Sequence, residues 1–194
     1  MPFKNAIALT GGIATGKSSV SSMLELCGFK VIDADKVAHH MLDIHAQKIA
    51  DIFGDEYIYE GKVNRKKLGT LIFSDKKQRL KLEKLLHPLI KEEIVKQATM
   101  YEDKNIQYII DIPLFFEKRG YEIEEVVLVY CTKEQQLQRL IDRDSISEKE
   151  AQKRVDSQLD IDEKRELASF IIDNTKDLKH LKCEVDRLVT YIHQ

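Results

Sequence analysis

Eight residues, Gly11-Gly12-Ile13-Ala14-Thr15-Gly16-Lys17-Ser18, match G-x-x-x-x-G-K-[ST]. They follow an apolar run, Ala6-Ile7-Ala8-Leu9, and precede a stretch in which Val20, Met23, Leu24 and Cys27 recur at helical spacing. A short apolar run closed by a glycine pair reads as a buried parallel strand, and the spacing beyond the loop reads as an amphipathic helix. Glycines let successive backbone N–H groups turn inward, and the new helix adds the positive end of its dipole, so the segment is expected to hold a polyphosphate. Residues 11–19, ending in Ser18 and Ser19, would form that cradle for ATP. Lys17 would reach the β- and γ-phosphates, and the Ser18 hydroxyl would ligate a Mg²⁺ ion bridging them.

The strand pattern returns at Phe29–Ile32, Gln107–Asp111, Glu125–Tyr130 and Phe170–Asp173, with helical patterns between. Five strands alternating with helices predict an α/β fold with a five-stranded parallel doubly wound sheet. Gly28 is the expected C-cap of the first helix. From Val37 to Glu102 the pattern is almost wholly helical, broken only at Gly54–Gly61 and at His87-Pro88. This predicts a nucleotide-binding core of residues 1–36 and 106–194, with a helical acceptor-binding lobe inserted at 37–105.

Four groups of polar residues stand at places where such a fold does chemistry. Asp33 and Asp35 flank the small Ala34 at the end of the second strand, on the ligand side of an open α/β sheet. One could take a proton from a hydroxyl nucleophile while the other orders Mg²⁺ or its water; alternatively Asp35 only caps the following helix. Arg139 and Arg143 share a face of one helix, followed by a polar stretch, which predicts an arginine-bearing lid at about residues 140–160 closing on a transferring phosphoryl group. The competing reading is a solvated helix face paired with Asp142 or Asp144. His87, held extended by Pro88 at a break between two helices, could contact an anionic acceptor, cap a helix or pack. Asp111, closing an apolar strand, could act on Mg²⁺ through water, as Asp33 could, or simply begin a turn.

With 31 basic and 33 acidic side chains interspersed, a net charge of -2 supplies no broad field for nucleic acid, so any anion site must be local. Cys27, Cys131 and Cys183 are odd in number and far apart, which excludes a disulfide framework or zinc knuckle and predicts three small buried apolar residues. The N-terminal Met-Pro-Phe-Lys-Asn runs directly into the first strand, and no apolar run approaches membrane-spanning length. The expected location is the cytoplasm, with no membrane and no obligate protein partner.

Taken in order, Leu9 to Ser18, Val31-Ile32-Asp33-Ala34-Asp35, Leu86-His87-Pro88 and Asp111-Ile112-Pro113-Leu114-Phe115-Phe116-Glu117 resemble the dephospho-CoA kinase family. The resemblance continues through Gln138-Arg139-Leu140, Arg143-Asp144, Arg154, Gln158 and Ile171-Ile172-Asp173-Asn174, and so spans nearly the whole chain. It implies ATP-dependent phosphorylation of the ribose 3′-hydroxyl of dephospho-CoA, the last step of coenzyme A synthesis, with dephospho-CoA and ATP as the partners. Asp35 would then be the base and Asp33 its support. Arg139 and Arg143 would belong to the lid, and His87 with Pro113, Leu114 and Glu117 would shape the acceptor pocket. Four positions depart from the family pattern: Ala14 and Lys176 where glycine is usual, His39 for an arginine, and Ser169 for an acid. Ala14 must either avoid positive φ or accept strain. Two other readings remain open: a kinase for another small acceptor such as a nucleoside monophosphate, and a nucleotide-dependent switch ATPase.

Overall fold

The computed structural model describes residues 3–118 and 120–193. Met1 and Pro2, the first residues of the N-terminal stretch that leads into the first strand, lie outside that range. The chain divides into two compact units, Met1–Ile32 with Met100–Gln194, and Asp33–Thr99.

The first unit is built on strands β1 (Ala6–Gly11), β2 (Val31–Asp33), β5 (Tyr108–Asp111), β6 (Glu125–Tyr130) and β7 (Phe170–Asp173), in the order β2-β5-β1-β6-β7. All five expected strands are present in one parallel sheet; β6 and β7 have the expected bounds, and the ends of β1, β2 and β5 are shifted by one or two residues. Registers run Ala6 beside Tyr108, Leu9 beside Asp111, Ile7 beside Glu125 and Val127 beside Phe170. Every residue of β1 and of β5 is buried, so both faces of the central strands are covered, as a parallel sheet requires. One face carries Ile7, Leu9, Ile109, Val127, Val129 and Ile172. Against it pack Val20 and Leu24 of α1 (Lys17–Leu26) and Leu181, Val185, Leu188 and Ile192 of α10 (Leu178–Ile192). Each of these fully buried side chains contributes about 1.5–3 kcal/mol.

Cys27 caps α1, and Gly28 follows with φ 96°. The Phe29 amide bonds to Leu24 O and the Gly28 amide to Glu25 O, a Schellman turn that places the cap one residue earlier than expected, at Cys27, with Gly28 in the left-handed position after it. Only Cys131 meets the expectation of three buried thiols; Cys27 and Cys183 are exposed. Cys27 stands at a helix end, and Cys183 lies off the buried stripe of α10, so neither has an apolar wall. Burial pushes the Cys131 thiol up to about 11, although Arg139 opposes the shift.

After β5 come α6 (Phe115–Lys118) and, beyond β6, α7 (Lys133–Asp144), α8 (Glu148–Val155) and α9 (Ile161–Leu167). Helix α7 begins with a capping box, Thr132 and Gln135 satisfying each other's backbone amides. A second apolar cluster joins Leu140, Ala151 and Val155 to Ile13 and Ala14 of the glycine loop.

The second unit contains α2 (Ala34–Ile44), α3 (Ala46–Phe53), a 3-10 helical turn Asp55–Tyr57, the two-stranded ladder β3 (Ile58–Tyr59) and β4 (Lys62–Val63), α4 (Arg65–Ser74) and most of α5 (Lys76–Glu102). The expected break at Gly54–Gly61 thus holds a hairpin. Its turn residues Glu60 and Gly61 both have positive φ, 49° and 74°, which matches the twist of a two-residue hairpin. The expected break at His87-Pro88 is absent: α5 runs straight through it, and His87 is helical and exposed. An interior proline costs about 3 kcal/mol through its missing N–H and its clash with the preceding turn. Burial of Leu82, Leu86 and Ile94 on the same helix more than offsets that cost. Proline and its neighbour therefore mark no boundary here.

Candidate active site

The glycine loop leaves the C-terminal end of β1, the central strand, and enters α1 at Gly16. Side chains from three later segments hold its carbonyls from outside. The Lys164 ammonium donates to Gly11 O at 3.1 Å, the Gln136 amide to Ile13 O at 2.8 Å, and the Asn174 amide to Thr15 O at 2.8 Å. In a trans peptide the C=O and the next N–H point to opposite sides. Clamping carbonyls 11, 13 and 15 therefore turns the amides of Gly12, Ala14 and Gly16 away from the braces. Among the described residues, no protein acceptor takes the amide hydrogens of Ala14, Gly16, Lys17 or Ser18. The Ile13 amide is the exception, donating to Gln158 Oε1 at 2.8 Å.

The braces also explain two of the glycines. A Cβ on Gly12 would lie 2.2 Å from Gln136 Nε2, and one on Gly16 would lie 2.2 Å from Asn174 Nδ2. Gly16 further adopts φ 94°, which its lack of a side chain permits. Ala14 accepts the left-handed conformation, with φ 60°. That costs about 1–2 kcal/mol. The two hydrogen bonds on Ile13 and the packing of Ala14 against the Leu140 cluster offset it.

Lys17 forms an ion pair with Asp111, a carboxylate buried at the end of β5. The loop lysine and the strand-end acid thus meet in one place. Ser18 and Ser19 are exposed in the first turn of α1. Among the described residues no group of three or more His, Cys, Asp or Glu side chains gathers to hold a metal. The donor types available, the Ser18 hydroxyl in the first turn of α1 and the buried Asp111 carboxylate that pairs with the preceding Lys17, suit Mg²⁺, which keeps several waters and takes the rest of its ligands from phosphates.

The remaining predicted residues fall into distinct settings. Asp33, and not Asp35, caps α2: its carboxylate accepts from the Lys36 amide at 2.9 Å and pairs with the Lys36 ammonium at 3.3 Å. Asp35 is exposed in the first helical turn, its oxygens free of the cap. Arg139 turns back to Asn174 O at 2.9 Å. Arg143 makes a two-pronged contact with Asp144 at 2.7 and 3.2 Å, and Arg154 reaches the same carboxylate at 2.9 Å. The shared helix face therefore does not bring Arg139 and Arg143 to a common partner. Pro113 O accepts from the Thr10 hydroxyl at 3.2 Å, and Leu114 is half-buried. Glu117 pairs with Lys164 at 2.7 Å and accepts from the Leu159 amide at 3.2 Å. Ser169, at a position where the family pattern has an acid, accepts from the Val126 amide and donates to Glu124 O, tying the start of β7 to β6.

Sequence reasoning missed Lys164 and Gln136, and quoted Gln158 and Asn174 without a role. Nothing in local pattern signals either: Lys164 lies in a charged helical turn with Asp160 four residues before it, and Gln136 in a polar one.

A loop of this kind on the central strand of a parallel sheet, with its lysine beside a strand-end acid, defines a nucleotide-binding P-loop kinase. A family model for dephospho-CoA kinase matches residues 5–180. The chain is 50% identical over 192 residues to the dephospho-CoA kinase of Sulfurimonas denitrificans, covering 99% of this chain and 96% of that one. Its fold superposes on a dephospho-CoA kinase from Campylobacter jejuni with a TM-score of 0.79 at 36% identity, covering 97% and 96% of the two chains. It also superposes on TT1252 from Thermus thermophilus with a TM-score of 0.83 at 27% identity, covering 97% and 98%. The chain belongs to the dephospho-CoA kinase family. That family carries out the final step of coenzyme A biosynthesis, and this chain is a phosphotransferase of that kind.

Proposed function

We propose that this chain moves the γ-phosphoryl group of ATP, as its Mg²⁺ complex, to the ribose 3′-hydroxyl of dephospho-CoA. The observation that carries the reading is the braced loop, whose outward carbonyls leave several amides and Lys17 ready for a triphosphate. In phosphoryl transfer the protein mainly positions groups and neutralises charge, so a preformed cradle supplies much of the catalysis.

On this reading Lys17 exchanges Asp111 for the β- and γ-phosphates, and Ser18 and Asp111 would hold the ion, directly or through water. A bound Mg²⁺ would supply charge neutralisation to the phosphates. Asp35 accepts the proton of the attacking hydroxyl, because it is a carboxylate left free by the cap that Asp33 provides. Asp33 holds the first turn of α2, and so the setting of Asp35. Arg139 and Arg143 neutralise the transferring group, and His87, Pro113, Leu114 and Glu117 border the acceptor. No helix among the described residues is long and apolar enough to cross a membrane, and we place the reaction in the cytoplasm.

Mass spectrometry of dephospho-CoA incubated with ATP, Mg²⁺ and the protein should detect one added phosphate. Asp35→Asn should lower kcat by about 10²-fold or more while leaving ATP affinity intact. Wild-type turnover in that variant would remove Asp35 from the role of base. Turnover of AMP or a sugar with none of dephospho-CoA would transfer the reading to another acceptor.

A further inference from the structure

Lys164 is 0% exposed, and its ammonium has two recorded partners: Gly11 O on the floor of the cradle and Glu117, whose side chain is 19% exposed. Glu117 Oε1 also accepts from the Leu159 amide, and the neighbouring Gln158 accepts from the Ile13 amide. The contacts close a circuit from Gly11 O through Lys164, Glu117, Leu159 and Gln158 to Ile13 N. One side of the glycine loop is thus tied to α6 and to the connection between α8 and α9.

Burying a lysine is costly, and an ion pair in a protein interior seldom repays the loss of water. A lysine kept there solely for stability could be exchanged with its partner for apolar side chains at little cost. Its contact with a loop carbonyl suggests a different use. A charged donor on Gly11 O fixes the plane of the Gly11–Gly12 peptide, aims the Gly12 N–H away from the brace and polarises it as a donor.

We infer that Lys164 is a positioning residue for the nucleotide: through Gly11 O it sets the phosphate affinity of the loop, and through Glu117 it holds the α8–α9 connection in register with that loop. The inference rests on the reading of residues 11–19 as an ATP cradle. The reacting atoms do not touch Lys164, so its loss should act on ATP before it acts on the acceptor.

The test compares wild type, Lys164→Met and the double variant Lys164→Met/Glu117→Met by thermal melting, by calorimetric titration with Mg-ATP and by steady-state kinetics. Lys164→Met strands the Glu117 charge and should melt earlier, whereas the double variant removes both charges and should recover most of that loss. ATP Kd should rise by about tenfold in both variants, because neither restores the donor on Gly11 O. In the single variant Lys164→Met, which leaves every residue assigned to the acceptor in place, the KM for dephospho-CoA should stay within about twofold of wild type. A double variant with wild-type ATP affinity would overturn the inference, since the pair would then serve stability alone. Loss of the fold in both variants would overturn it too, by making the pair a condition of folding. A wild-type protein that binds no ATP would instead bring down the proposed function.

Discussion

The cradle and the arginine helix both carry positive groups suited to phosphate, yet they are held in opposite ways. Behind the cradle, Lys164 is fully buried, and Gln136, at 2% exposure, is nearly so; each donates a hydrogen bond to a loop carbonyl. On the arginine segment, the Arg143 and Arg154 side chains are 58% and 42% exposed, and their bonds go to Asp144 or Glu150 on the same segment. Buried polar contacts are expensive to break, whereas exposed ion pairs contribute little and are screened by salt. The first arrangement fixes donors before a ligand arrives. The second stores guanidinium groups on a carboxylate that a phosphate can displace at small cost.

If the cradle is the preorganised part, its single mobile cation should matter most. Lys17→Ala should lower kcat/KM for ATP by about 10³-fold, since it removes a charge acting on the phosphates throughout the reaction. Single-turnover kinetics with saturating acceptor will show it, and a loss below about tenfold would contradict the assignment of the loop.

A smaller effect sharpens the role of the braces. Gly12→Ala would push a methyl into the space of the Gln136 amide and should raise ATP Kd about tenfold. In a Gln136→Ala background the same change should cost clearly less, because the two share one contact. Additive losses would mean that the alanine acts through the loop backbone alone.

The smallest effect belongs to the arginine segment proposed as a lid. Arg143 first, by hydrogen bonding, and Arg154 after it hold the Asp144 carboxyl below its usual range. A depressed carboxyl contributes stability above its unfolded pKa and loses that contribution as pH falls through the folded value, so the small contribution of this cluster is present at neutral pH and fades only on the acid side. Asp144→Asn should shift the melting temperature at neutral pH by about 2 °C or less, and ATP Kd by less than about threefold. A large loss of ATP affinity would show the lid to be as rigidly preset as the cradle.

Much of this molecule was legible from residue order. The apolar runs ending at Leu9, Ile32, Asp111, Tyr130 and Asp173 announced the sheet, because fully buried parallel strands need continuous apolar sequence. The motif at 11–18 announced the cradle, because few residue types allow that curl. His87-Pro88 misled, since a local rule about proline yields to a long helix anchored by buried leucines. The Glu60-Gly61 hairpin went unread because Glu60 stands where Asn, Asp or Gly usually precedes the glycine of such a turn. The thiol of Cys183 was misjudged because helical spacing does not say which face is covered.

By itself the sequence determined the elements, the loop and the candidate acids, all of which depend on near neighbours along the chain. Tertiary structure alone decided that Asp33 is the cap, that Lys17 rests on Asp111, and that Lys164, Gln136 and Asn174 hold the loop from behind. Those contacts join residues more than a hundred positions apart in the chain, apart from the cap and the slightly closer Lys17–Asp111 pair. A local pattern carries no record of which distant carbonyl a side chain will meet, because that depends on how the sheet orders its strands.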